Sequence, residues 1–147
     1  MREYYLYKIR EDVAHEFYGK ESKIFSLFLE ERKSRSMEVR NMLQKQISYI
    51  TVPVSTEELK VYLSEQRVPG AAFDSASGVF TICLSKSEVQ LYLTPDYLIL
   101  TSTGSYDAET AMFEVLRKFE TRFLAMDYDS KKYGWLFPVK LNTFYGT

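Results

Sequence analysis

The side chains able to carry chemistry are few, and their spacing gives them little to work with. His15, the lone imidazole, stands in REDVAHEFYGK. A catalytic histidine needs an orienting partner, and a metal site needs companions. With one histidine there is no His cluster and no second imidazole for a relay, so His15 reads as a solvated or edge residue on a short helix. Cys83, the lone thiol, falls in the alternating run FTICL. It is expected to be buried and inert, because a nucleophilic thiolate needs positive charge or an acceptor nearby. Asp127 and Asp129 in MDYDSKK have the spacing that opens some calcium loops. The glycine and distal glutamate of such loops are missing, and Lys131 and Lys132 bring the wrong charge. These aspartates read as a turn or cap.

Phosphate-binding patterns are equally thin. Gly19-Lys20 and Gly70 lack the Walker spacing, and no GxGxxG follows a strand-like run. Arg32, Lys33 and Arg35 form a basic group, but Glu30 and Glu31 adjoin it, which describes a solvated helix junction. No catalytic, cofactor or metal-ligating set results, and the chain is not read as an enzyme.

Two apolar stripes suggest contact chemistry instead. In the first helix Val13/Phe17 and Ala14/Tyr18 are i,i+4 pairs. Together they make a stripe of about 140°, wider than the ~100° a packed surface helix requires. Part of it is a flank or a binding face. A later helix carries Val39, Met42, Leu43, Ile47 and Ile50, with Gln46 near the middle of the stripe and Tyr49 at its edge. A glutamine there is either a satisfied buried amide or a group offered to a partner; left unsatisfied it costs roughly 1–3 kcal/mol.

The elements that must hold these groups follow from periodicity and punctuation. Tyr4–Ile9 reads as a strand and Glu11–Tyr18 as a short helix stopped by Gly19. A second helix spans Lys20–Glu31, and Ser36 caps a third running to Ile50, closed by Pro53. Ser55-Thr56-Glu57-Glu58 is a capping box, with Val54 and Leu59 at hydrophobic-staple spacing, for a helix ending near Gln66. Pro69-Gly70 marks a turn. Val79–Leu84, Val89–Leu93 and Tyr97–Thr101 form an antiparallel meander. Asp107 is placed to cap a helix over Ala108–Phe119, apolar at Met112, Val115, Leu116 and Phe119, with Glu114 and Lys118 paired at i,i+4. Thr121–Tyr128 returns to strand. The expected fold is a single α+β domain over residues 1–147, mainly an antiparallel sheet with packed helices.

Composition bounds the rest. The chain has 147 residues, 46% hydrophobic and 27% charged, which suits one globular domain. A formal net charge of -1 argues against a dedicated nucleic-acid binder. The single cysteine forbids an internal disulfide and fits a reduced, cytoplasmic setting. MREYYLYKIRED is too charged for a secretory signal, and no run approaches the ~20 apolar residues of a membrane span. The aromatic share of 16% fits a ring-rich core with some rings left for a partner.

Two blocks carry a resemblance. SYDAETAMFEVLRKFETRFLAMDYDSKKYGWLFPVK, over residues 105–140, resembles the C-terminal third of the SirA family, sporulation inhibitors of replication in endospore-forming bacilli. YYLYKI, YGKES and KQISYIT with Pro53 close behind extend the likeness to the first third; the segment 56–103 lies outside it. The resemblance implies a protein that works by binding the small N-terminal domain of the replication initiator DnaA as a 1:1 heterodimer. It implies no cofactor, no small-molecule substrate, and no direct contact with nucleic acid or membrane. The family's partner-facing residues carry over to Val13, Phe17, Gln46 and Tyr49, with Val13 standing where the family has a larger aromatic. Two other classes stay open: a transferase-like α+β enzyme, which would show a deep polar pocket with convergent titratable groups, and a small nucleic-acid-binding module, which would show a continuous basic face over stacking aromatics.

Overall fold

The computed structural model describes residues 1–136, so Pro138 of the YGWLFPVK segment lies outside the described residues. In chain order the elements are β1 (Arg2–Ile9), α1 (Glu11–Glu16), α2 (Glu21–Lys33), α3 (Met37–Ile50), β2 (Thr51–Val52), α4 (Thr56–Ser64), β3 (Ala71–Asp74), β4 (Val79–Leu84), β5 (Ser87–Leu93), β6 (Leu98–Gly104), α5 (Asp107–Phe119), β7 (Phe123–Asp127) and β8 (Lys132–Trp135). All strands join one antiparallel sheet in the order β3-β4-β5-β6-β1-β7-β8, with β2 pairing the end of β1. The expected α+β class and single antiparallel sheet are borne out.

Strand alternation divides the core into two. From β1, Tyr4 and Leu6 enter one cluster with Phe80, Ile82, Val89, Leu91, Leu98 and Leu100, closed by α4 and α5. Ile9 and Tyr7 enter the other with Leu124, Met126 and Trp135, closed by α1, α2 and α3. Helices therefore cover both faces of β7. Phe123 and Ala125 serve one cluster, Leu124 and Met126 the other, and every residue of FLAMD is buried. A strand covered on both sides loses polar alternation, which is why Phe123–Met126 are continuously apolar. Among the described residues no helix covers the far side of β4 and β5, and Cys83, Glu88 and Tyr92 are exposed there. This corrects the expected buried thiol: Phe80 and Ile82 take the inward positions of β4, so Cys83 must point out. Its Sγ lies 3.6 Å from Glu88 Oε1.

Helix ends bring further corrections. Ser36 does cap α3, accepting from the Val39 N–H. Ser55 occupies the cap position of α4 without a side-chain capping bond; its backbone carbonyl takes the Leu59 N–H instead. The staple holds, since Val54 and Leu59 are buried together. Asp107 is the first residue of α5 and does not cap it; the Ala108 N–H donates to Ser87 Oγ from β5 at 3.0 Å. Glu114 pairs with Arg117 at 2.8 Å, one residue short of the expected Lys118. The second helix runs through Arg32 and Lys33. Arg32 lies over two rings, 4.7 Å from the Tyr5 centroid and 4.5 Å from that of Tyr128. The strand Ala71–Asp74 was not anticipated from the residues around Pro69-Gly70; Gly70 has φ +79°, and a Cβ there would collide with the Cys83 carbonyl.

Two buried carboxylates tie the layers. Glu109 on α5 accepts from Arg2, Tyr4 and Ser102, each at 2.6 Å. Burial, and then the bond to Glu109, raise the Tyr4 phenol well above its ordinary range. Glu21, at the start of α2, accepts from Trp135 Nε1 and the Gly19 N–H, both at 2.8 Å. Asp127 accepts from the Ser130 N–H at 3.1 Å, the turn role expected of it.

Candidate partner-binding site

Helix α1 is held at both ends. At its head Arg10 donates to the Tyr49 carbonyl at 3.0 Å and to Asp12 Oδ2 at 2.9 Å, while its backbone N–H meets the Ile50 carbonyl. At its tail Gly19 turns with φ +84°, and its N–H is fixed by Glu21, which Trp135 in turn holds. A helix of this length has little stability of its own, so these anchors and the core set its position. Beneath it, Ile47 and Ile50 of α3 pack on the same cluster as Val13 and Phe17. Helices α1 and α3 thus meet over a shared apolar floor.

The over-wide stripe of α1 is split by this packing. Val13 is 7% exposed and belongs to the core. Ala14 and Phe17 are half-buried, and Tyr18 is 57% exposed. Along α3 only Leu43 is buried; Ile47 and Ile50 are half-buried. Gln46 is exposed, which removes the buried-amide reading of that residue. Tyr49 is 68% exposed, with the Arg10 guanidinium carbon 4.7 Å above its ring. Of the four residues expected to meet a partner, Phe17, Gln46 and Tyr49 retain accessible surface. Val13 instead supports the floor from below.

Chemistry beside this face is sparse. An open groove of about 820 Å³ flanks α1, lined by Arg10, Glu11, Asp12, His15, Glu16 and Arg122, among others. His15 is exposed at its rim, as expected of a solvated helix residue. Among the described residues, no three His, Cys, Asp or Glu side chains gather as a metal site requires, and no helix is long and apolar enough to cross a membrane. A second groove of about 600 Å³ lies between α3 and the sheet, where Tyr7 stacks on Tyr97 at 5.0 Å. Of its two carboxylates, Glu31 and Asp96, Glu31 is already engaged by Arg40 and Gln44. Arg10 is the contributor to the face that sequence reasoning missed. Its position next to α1 was visible, but its reach to Tyr49, across 39 residues of chain, was not.

Residues 2–140 match the family described as sporulation inhibitor of replication protein SirA. The match includes the segment 56–103, which the sequence resemblance did not reach. A protein of that name from Bacillus subtilis (strain 168) is 37% identical over 150 residues, covering 97% of this chain and 98% of the relative. The chain therefore belongs to the SirA family, the sporulation inhibitors of replication.

Proposed function

We propose that this chain restrains replication initiation by occupying the N-terminal domain of the initiator DnaA, in a 1:1 complex and without catalysis. The observation that carries the reading is the α1–α3 face. Phe17, Gln46 and Tyr49 stay accessible on two helices braced by Arg10 and by the Glu21–Trp135 contact. A half-sunk aromatic, an amide and a tyrosine rim on a rigid support suit a small protein interface, where a few anchors dominate the binding energy. Family membership supplies inhibition of replication as the outcome; the identity of the partner follows the family resemblance. Blocking the surface through which initiator protomers assemble would stop new rounds without any bond being made or broken. The complex would form in the cytoplasm.

The test is direct binding of the full chain to purified DnaA N-terminal domain, by pull-down and then calorimetry. Saturable 1:1 binding that Tyr49→Ala weakens supports the reading. Absence of binding by the folded wild-type chain would sink it.

A further inference from the structure

Four positions on α3 fall in one line: Val39, Met42, Gln46 and Tyr49, at i, i+3, i+7 and i+10. On a helix of 3.6 residues per turn this spacing keeps them on a single ridge. The ridge runs alongside Leu43, the buried residue of the helix, on the side turned from Ile47, and it stays in solvent along its length. Val39 is 38% exposed, Met42 53% and Tyr49 68%, and Gln46 is exposed between them. Scattered apolar residues on a surface need no explanation, but three exposed ones aligned on one ridge around a single amide do. Among the described residues its lower half, Val39 and Met42, joins neither core cluster.

We infer that the partner contact runs down α3 through Met42 to Val39, and that the occupant is the same initiator domain, presenting a shallow apolar groove to this ridge. The inference rests on the function proposed above. Area supports it. A stable complex takes roughly 800 Å² from each side. Val13 is nearly all in the core, so the aromatic contribution falls to Tyr49 and the open part of Phe17, together on the order of 250 Å². Gln46 adds a polar contact. The surface continuous with these residues is the α3 ridge, and methionine is an adaptable filler for an irregular apolar groove. The arrangement is the helix-in-groove mode, with anchors at helical spacing and the amide of Gln46 fixing register between them.

Calorimetry of the full chain against purified DnaA N-terminal domain tests this, with circular dichroism on every variant and sedimentation of each chain alone. Met42→Glu is expected to weaken binding about tenfold and Val39→Glu about fivefold, since each places a charge in a desolvated contact. Asn41→Glu, exposed on the same helix but off the ridge, is expected to stay within about twofold, as surface changes outside a contact do. Met42→Leu should retain affinity. If the wild type binds and Tyr49→Ala weakens it, but Met42→Glu and Val39→Glu do not, the ridge is not part of the contact and this inference alone fails. If Met42→Glu instead dissociates a homodimer and leaves partner affinity unchanged, the ridge belongs to a second copy of the chain, which also overturns it. Failure of the wild type to bind at all overturns the functional reading first.

Discussion

The guanidinium of Arg10 spans two helices at the point where they meet, lying 4.7 Å over the Tyr49 ring while donating to the Tyr49 carbonyl at 3.0 Å. Its other arm reaches Asp12 on α1 at 2.9 Å. A planar fork can stack and hydrogen-bond together, whereas a lysine ammonium acts as a point charge. The pair is exposed, so its contribution to global stability is small. Its consequence is orientation: the ring stands at the edge of the proposed partner face in one pose. Arg10→Lys and Arg10→Met should leave the thermal midpoint nearly unchanged and weaken partner binding about three- to tenfold, the range for loss of an exposed cation–π contact and its companion bond. A melt and a titration on the same sample check this. Equal losses of stability and affinity would mean that Arg10 serves the fold and not the face.

Phe17 bridges core and surface, half-buried on the second cluster at the C-terminal end of α1. Phe17→Ala should weaken binding to the initiator domain by about 2 kcal/mol or more, as removal of a central aromatic anchor from a small interface does. Because part of the ring packs on the core, the variant should also melt earlier, so affinity must be measured below its transition. A folded Phe17→Ala protein that binds like wild type would take Phe17 out of the contact.

How far the sequence foretold this arrangement depended on the range of the interactions. Periodicity located α3 and its cap Ser36, because the signal is local. The same periodicity misjudged the exposure of Cys83, since an alternating run does not say which of its phases is inward until a neighbouring layer is known. Capping of α5 was assigned to Asp107 because it is adjacent in sequence. The hydroxyl that bonds the Ala108 N–H comes from Ser87 on β5, which no local pattern could reveal. Val13 was read with Phe17 as one face, yet helix geometry alone does not say where a core ends. The floor formed by Ile47 and Ile50 draws Val13 inward and leaves Phe17 at the rim. Gln46, ambiguous in the sequence, is a surface residue because α3 turns the Leu43–Ile47 side inward and leaves Gln46 on its flank. The Glu109 and Glu21 networks join residues more than 100 positions apart and were not anticipated.

Glu109 should matter to stability out of proportion to its single charge. Its carboxylate is buried and serves Arg2, Tyr4 and Ser102 at once. Glu109→Ala would remove the acceptor of the Arg2 Nε–H and of the Tyr4 and Ser102 hydroxyls, while the Arg2 guanidinium keeps the Gly104 and Ser105 carbonyls. The expected cost is about 3–5 kcal/mol, typical of removing one partner from a buried charged network. Urea denaturation followed by circular dichroism reads it; a loss under about 1 kcal/mol would show that the three donors find other acceptors.

Acid should act on Glu120 in a defined direction. Burial alone would raise its carboxyl, but the Arg122 N–H at 3.0 Å and Lys8 at 3.1 Å outweigh that and hold it below the ordinary value of 4.5. The folded state therefore releases this proton at lower pH than the unfolded chain. The stabilisation is fully present above the unfolded carboxylate pKa, and it fades as pH falls through the folded one, in the window below roughly pH 4.5. Glu120→Gln should be less stable than wild type at neutral pH, with the gap narrowing on acidification through that window. Denaturant midpoints measured from pH 7 down to pH 3 give the comparison, and a gap that widened on acidification would refute the assignment.

The cellular consequence turns on Gln46. Forced expression of the wild-type chain in growing cells should lower the ratio of origin to terminus DNA, because blocking initiator assembly stops new rounds while running forks finish. Gln46→Leu should relieve this block. Leucine keeps similar bulk at an exposed position of α3, so folding is expected to survive; surface changes of this kind stay within about 0.5 kcal/mol. At the contact the change is costly, since a partner group that met the amide loses its hydrogen bond and is left unpaired at roughly 1–3 kcal/mol. That is about a 5- to 150-fold loss of affinity. Marker-frequency analysis at matched expression reads the ratio. Persistent inhibition by the leucine variant would remove Gln46 from the site while leaving the rest of the face in play. An unchanged ratio with the wild-type chain would count against initiation as the step this protein restrains.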